Sequence, residues 1–255
     1  MRATLHPTDQ MLAHPSWRGL GMAAVITTLG FAVYGFTVGC WRSPTMGLFV
    51  AAKMPLLIFC TLGCNGLLNG LLGLLLGSNL GFRQSLQALL GAFAISALIL
   101  GSIAPVTFFL ALNAPPPDSP QAATSHSAYL LSHTALIGMA GVIGLVRLRR
   151  QLENYCPSRS SARATLAAWM AGNAFLGAQF SWIFRPFFGS PQLEVAFLRP
   201  DPMRGSFYEA VWNSARRVSA EIEPLAFPAV LLLAVVVILS IAAYQHFQSS
   251  PRPQP

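Results

Sequence analysis

Six apolar runs separated by polar links divide the 255-residue chain, at 20–41, 54–76, 89–112, 128–146, 165–184 and 225–244. A helix needs roughly 20 residues to cross about 30 Å of hydrocarbon. The pattern therefore predicts an all-α, polytopic integral membrane helix bundle of six transmembrane helices in a single domain over 18–245. The first run is too long for a signal-peptide core and has no A-x-A site at its end, so it is expected to stay as a span. Residues 1–17 read as a cytoplasmic tail, and the proline-rich 246–255 as a disordered cytoplasmic tail.

Polar residues inside the runs are where packing or chemistry is expected. The second run stays apolar from Met46 to Leu76 except for Lys53, Asn65 and Asn69. It is longer than one crossing requires, so Met46–Lys53 is predicted to lie at the interface, with Pro55 starting the true span. Lys53 could then snorkel to headgroups and avoid the roughly 2.5–3.5 kcal/mol that a lysine costs at mid-bilayer. Asn65 and Asn69, one helical turn apart, share a face flanked by Gly66 and Gly70. That face should meet another helix, each interhelical amide bond contributing of order 1 kcal/mol. Gly35 and Gly39 offer a flat patch for close helix contact, and Pro105 predicts a kink in the third span. His133 opens the fourth run, ahead of Gly138, Gly141 and Gly144, and is read as a helix-packing hydrogen-bond partner, with proton relay as the alternative. Asn173 and Gln179 in the fifth run are about 120° off being stacked, which does not support one polar stripe.

The links set the orientation. Arg147, Arg149, Arg150, Arg159 and Arg163 crowd the fourth link, whereas 113–127 carries three consecutive prolines, one acid and no arginine or lysine. By the positive-inside rule the arginine cluster is cytoplasmic and the proline-rich loop is outside, which by alternation puts both termini inside. The fifth run then ends outward in FLGAQFSWIFRPFFGSP, where Trp182 and Arg185 are expected to anchor the interface, Arg185 at headgroups, and Pro186 to turn the chain. The outer loop 189–223 should hold an amphipathic helix. Ser206 and Glu209 match a capping box, and Phe207, Val211, Ala215, Val218 and Ile222 recur at helical spacing. Its expected place is the outer membrane surface or the bundle mouth.

Composition removes several function classes. The chain is 54% hydrophobic and 9% charged, far below the roughly 25% charged residues of soluble domains. The net charge of +8 lies in links between spans and lacks the spacing of a nucleic-acid motif. Cys40, Cys60, Cys64 and Cys156 form no C-x-x-C pair or zinc spacing. No acid falls inside a run, and neither H-E-x-x-H nor G-x-S-x-G occurs. No metal, cofactor, nucleic acid or enzymatic activity is expected.

Two resemblances attach to particular segments. Residues 67–98, an apolar run, a glycine-rich link with FRQ and a second apolar run, resemble the Yip-type membrane domain, which implies Rab-dependent vesicle trafficking in eukaryotes. The segments AAKMPLLIFCTL (51–62), GAQFSWIFRPFFGSP (177–191) and FLRPDPMRGSFYEAV (197–211) resemble a group of uncharacterised multi-span bacterial membrane proteins. That group shares a K-x-P-L-L segment and a G-x-Q-x-x-W-x-x-R-P-F end. The second resemblance implies a bacterial inner-membrane protein and singles out Lys53, Pro55, Gln179, Trp182, Arg185 and Pro186.

The expected function is that of a non-enzymatic scaffold or assembly factor in the inner membrane. Its partners would be the lipid bilayer and another membrane protein or a second copy of the chain. The alternative is a small channel or transporter whose path is lined by Lys53, Asn65, Asn69, His133, Asn173 and Gln179.

Overall fold

A computed structural model of the chain describes residues 16–202 and 204–221. The regular structure of the described residues is helical: α1 (Trp17–Cys40), α2 (Pro44–Leu75), α3 (Phe82–Asn113), α4 (Ala122–Tyr155), α5 (Arg159–Ile183) and α6 (Phe207–Glu221).

The helix ends follow from local chemistry. Ser16, Ser43 and Ser158 accept hydrogen bonds from Gly19, Met46 and Ser161 backbone N–H groups at the starts of α1, α2 and α5, each satisfying a donor with no intrahelical partner. Pro44 stands at the first position of α2, where its missing N–H costs nothing. Ser206 starts α6 the same way, its Oγ accepting from Glu209 N at 3.2 Å. Between α2 and α3 the chain reverses through left-handed Gly77 and Asn79, and the Ser78 hydroxyl donates to Gly73 O at 2.6 Å.

Among the described residues four helices, α1 to α4, are long and apolar enough to cross a membrane. The side chains are arranged inside out. Leu67, Leu71 and Leu74 of α2 and Phe109 of α3 are more than half exposed, while Lys53, Asn65, Asn69 and His133 are at most 2% exposed. An apolar exterior over a polar interior suits lipid as solvent, since hydrocarbon offers no partner to a polar group. α5 matches the predicted fifth run but, with Arg159, Arg163, Asn173 and Gln179, is not among the four. The predicted sixth span, the tail 246–255 and residues 1–15 of the amino-terminal tail lie outside the described residues.

α1 packs against both α2 and α3, α3 also meets α4, and α5 lies along α2 and α4. A Cβ on Gly39 would fall 2.5 Å from Met46 O, and one on Gly35 2.7 Å from Val50 O. The Gly35/Gly39 patch is thus where α1 and α2 touch.

Two expectations about helix extent are corrected. α2 is continuous from Pro44 through Pro55, so Met46–Lys53 and the stretch after Pro55 belong to one helix. At 32 residues it runs about 48 Å, and one face of its first turns, with Met46, Val50 and Lys53, is buried while Leu48 is exposed. The arginine-rich "loop" is mostly helix: α4 continues to Tyr155 and α5 starts at Arg159. Arg149 and Glu153 pair one turn apart at 3.3 Å, the spacing that supports an exposed helix end.

Candidate functional site

The loops α1–α2, α3–α4 and α5–α6 gather at one end of the bundle, here called the mouth. Trp41 Nε1 donates to Pro115 O at 3.0 Å, joining the first two loops, and its ring stacks on Tyr129 at 5.9 Å. The long segment 184–206 folds back over this end instead of extending away from it. Three basic side chains hold it by its backbone carbonyls. Lys53 Nζ donates to Pro186 O at 2.8 Å. Arg42 donates to Ser190 O and Leu193 O at 3.4 and 3.3 Å. Arg185 donates to Trp182 O at 3.1 Å, Arg204 O at 3.0 Å, and the carbonyls of Asp201 and Pro202. The Arg185 guanidinium also lies over the Trp182 ring, its Cζ 3.8 Å from the centroid. Gly189 takes φ +66°, and a side chain there would strike Arg42 Cγ at 2.7 Å. Backbone and neighbour both demand glycine.

The three segments that carry the bacterial resemblance therefore meet in one place. Lys53 comes from the first, Trp182, Arg185 and Pro186 from the second, and Phe197 with the Asp201, Pro202 and Arg204 carbonyls from the third. The Phe187 and Phe197 rings face the Lys53 ammonium at 5.9 and 4.9 Å.

Lys53 and Arg185 have protein partners that the sequence reading did not give them. Lys53 is fully buried under 186–197, where the Pro186 carbonyl accepts one of its N–H groups and two aromatic faces lie beside it. Arg185 is the hub of the folded loop. Four backbone carbonyls accept from its fork.

Beneath the segment lies a buried hydroxyl cluster. His133 Nδ1 is 2.6 Å from the Tyr34 hydroxyl, a hydrogen bond whose direction the His133 tautomer sets. Tyr129 packs edge-on to His133 at 4.3 Å and donates to Thr37 O at 2.7 Å; Thr37 and Thr107 join hydroxyls at 2.8 Å. Phe188 closes the cluster, 5.9 Å from His133. His133 was anticipated. Tyr34, Thr37, Thr107 and Tyr129 were not, although hydroxyls inside apolar runs need partners and were a usable signal.

The amides lie elsewhere. Asn65 and Asn69 face α5: the Trp169 indole donates to Asn69 O at 2.9 Å, and a Cβ on Gly172 would meet the Asn65 amide at 2.9 Å. Neither amide nitrogen has a hydrogen-bond partner, nor does Asn69 Oδ1. Asn173 donates to Trp169 O at 2.8 Å and borders a cavity of about 310 Å³ between α3, α4 and α5, otherwise lined by groups such as Leu89, Phe93, Leu148 and Met170. Gln179 is exposed and joins neither group. Arg147, Arg149, Arg150, Arg159 and Arg163 are all exposed at the end opposite the mouth.

No protein-family model, curated protein or solved structure matches the chain.

Proposed function

We propose that the chain is a non-enzymatic integral membrane scaffold or assembly factor, whose folded mouth segment and arginine-rich opposite end contact a partner membrane protein or lipid. The observation that carries this reading is the dispersal of the polar residues. Lys53 fastens a loop, His133 binds Tyr34, Asn65 and Asn69 sit in the α2–α5 seam, and Gln179 is exposed. They serve separate contacts and do not line one path. In proteoliposomes under ion and pH gradients, the purified protein is expected to give no flux above protein-free vesicles. Robust flux abolished by Asn69→Leu would replace the scaffold with the channel reading, which the unpartnered amide atoms of Asn65 and Asn69 favour.

The proposed orientation places the mouth outside the inner membrane and both termini in the cytoplasm, with 225–244 as a sixth span. Support comes from charge. The end opposite the mouth carries Arg18, Arg83 and the five-arginine cluster against Glu153, whereas at the mouth Arg42, Lys53, Arg185, Arg199 and Arg204 are set against Asp118, Glu194 and Asp201. Cys156 is buried and a poor probe, so the test uses the exposed positions 118 and 160 in a cysteine-free background. An impermeant maleimide should label Asp118→Cys in intact cells and Ser160→Cys only after permeabilisation. The opposite pattern would invert the topology.

A further inference from the structure

The mouth holds more positive charge than it neutralises. Lys53 is fully buried, yet of its three ammonium donors one is hydrogen-bonded, to Pro186 O, and beyond it the ammonium has only the Phe187 and Phe197 ring faces. Arg42 makes two long bonds to carbonyls, and Arg199 donates one N–H to Glu194 O at 3.1 Å. Among the described residues, the ion pair within 4 Å is Arg149–Glu153, at the opposite end. Carbonyl dipoles satisfy hydrogen-bond donors without cancelling net charge, and a desolvated cation calls for a counter-charge. The cations also crowd one another. Burial holds the Arg199 guanidinium below its ordinary range, and Arg42 acts in the same direction. Arg185 is lowered by burial and then by Arg199, with Asp201 opposing.

All three basic side chains converge on one stretch of chain. Lys53 touches residues 186, 187 and 197, Arg42 touches 190 and 193, and Arg199 reaches back to 194. Two guanidinium forks and one point-like ammonium match an oxyanion with several acceptor oxygens. Their place at the end of an apolar bundle is where lipid headgroup phosphates lie. We propose that Arg42, Lys53 and Arg199 form a binding site for a phosphate group at the mouth. The bound phosphate takes up the spare donors of Lys53 and Arg199 and holds the 186–199 segment against the bundle. This site does not depend on the scaffold reading and stands equally if the protein conducts.

The test uses the full-length protein in a maltoside detergent, which carries no phosphate, titrated separately with short-chain phosphatidylglycerol and with inorganic phosphate while the unfolding midpoint is followed. Phosphatidylglycerol should stabilise the protein saturably. Its apparent affinity should fall about tenfold in Arg199→Gln and in Lys53→Met, the scale of one lost charge-assisted bond. Arg199→Lys should recover part of the loss, and Arg149→Gln with Arg150→Gln at the opposite end should change nothing. If inorganic phosphate gives the same response with the same variant pattern, the site takes free phosphate; if the lipid alone does so, it takes a headgroup. Arg199 is only partly buried, so Arg199→Gln carries the test should Lys53→Met fail to fold. The proposal is overturned if neither ligand gives a saturable response, if the mouth variants respond like the wild type, or if the response disappears only with the opposite-end variants.

Discussion

Replacing Trp169 by alanine should destabilise the protein by about 3–5 kcal/mol, the range for removing a buried tryptophan or phenylalanine from a packed core. Trp169 is fully buried, its indole N–H spans from α5 to Asn69 O on α2, and its ring borders the 310 Å³ cavity among α3, α4 and α5. Truncation would enlarge that cavity and remove the cross-helix bond to Asn69 O in a seam where the Asn65 and Asn69 amide nitrogens already lack partners. Lipid tails are as apolar as the side chain itself, so little of the loss is hydrophobic transfer; most is lost packing. The lower half of the range is therefore expected. Trp169→Phe retains most of the ring contact and should lose only about 1 kcal/mol for the missing hydrogen bond. Reversible unfolding in mixed micelles measures both. Equal stability of Trp169→Ala and wild type would mean that α2 and α5 are not held together here.

Two glycines should respond in opposite directions to the same added methyl group. A Cβ on Gly30 would sit 2.4 Å from Ala97 O and 2.7 Å from Ala97 C, so α1 and α3, which pack closely, must separate to admit it. Gly30→Ala should cost about 1–3 kcal/mol, as overpacked cores do. Gly138 on α4 has nothing within 4 Å of the corresponding position. There alanine only gains helix preference over glycine, and Gly138→Ala should be neutral or stabilising by up to about 1 kcal/mol. Unfolding midpoints compared under identical detergent conditions check the signs. A Gly30→Ala protein as stable as Gly138→Ala would contradict the α1–α3 contact.

The Gly30 and Gly138 pair also marks how far the sequence could be read. Gly138, Gly141 and Gly144 stood out by spacing, yet only Gly144 meets a neighbour, with Ala92 O 2.7 Å from its Cβ position. Gly30 had no such neighbours in sequence and touches a helix nearly seventy positions away. Spacing shows that a face is narrow; whether something approaches it depends on another helix.

The same division runs through the mouth. The motif segments around Lys53, around Trp182–Pro186 and around Phe197–Val211 were visible one by one, as was the buried polar character of Asn65, Asn69 and His133. Their meeting was not. Lys53 reaches Pro186 across 133 positions of chain. A sequence costs a lysine only against lipid or water, the two solvents it can assume, and snorkelling was the cheaper of them. The structure offers a third solvent, the protein's own carbonyls and aromatic faces.

What the sequence determined by itself is what each stretch decides locally. Apolar runs long enough to span, serine caps at helix starts, the charge difference between the two ends and the helix beginning after Ser206 all depend on neighbours a few residues away. What only the tertiary structure decided is which groups share a space: the folded mouth segment, the Tyr34–His133 pair, the Asn69–Trp169 bond and the exposure of Gln179. Those depend on how long helices are set beside one another. In lipid that choice rests on close packing and on finding a partner for each polar group, both properties of pairs of segments.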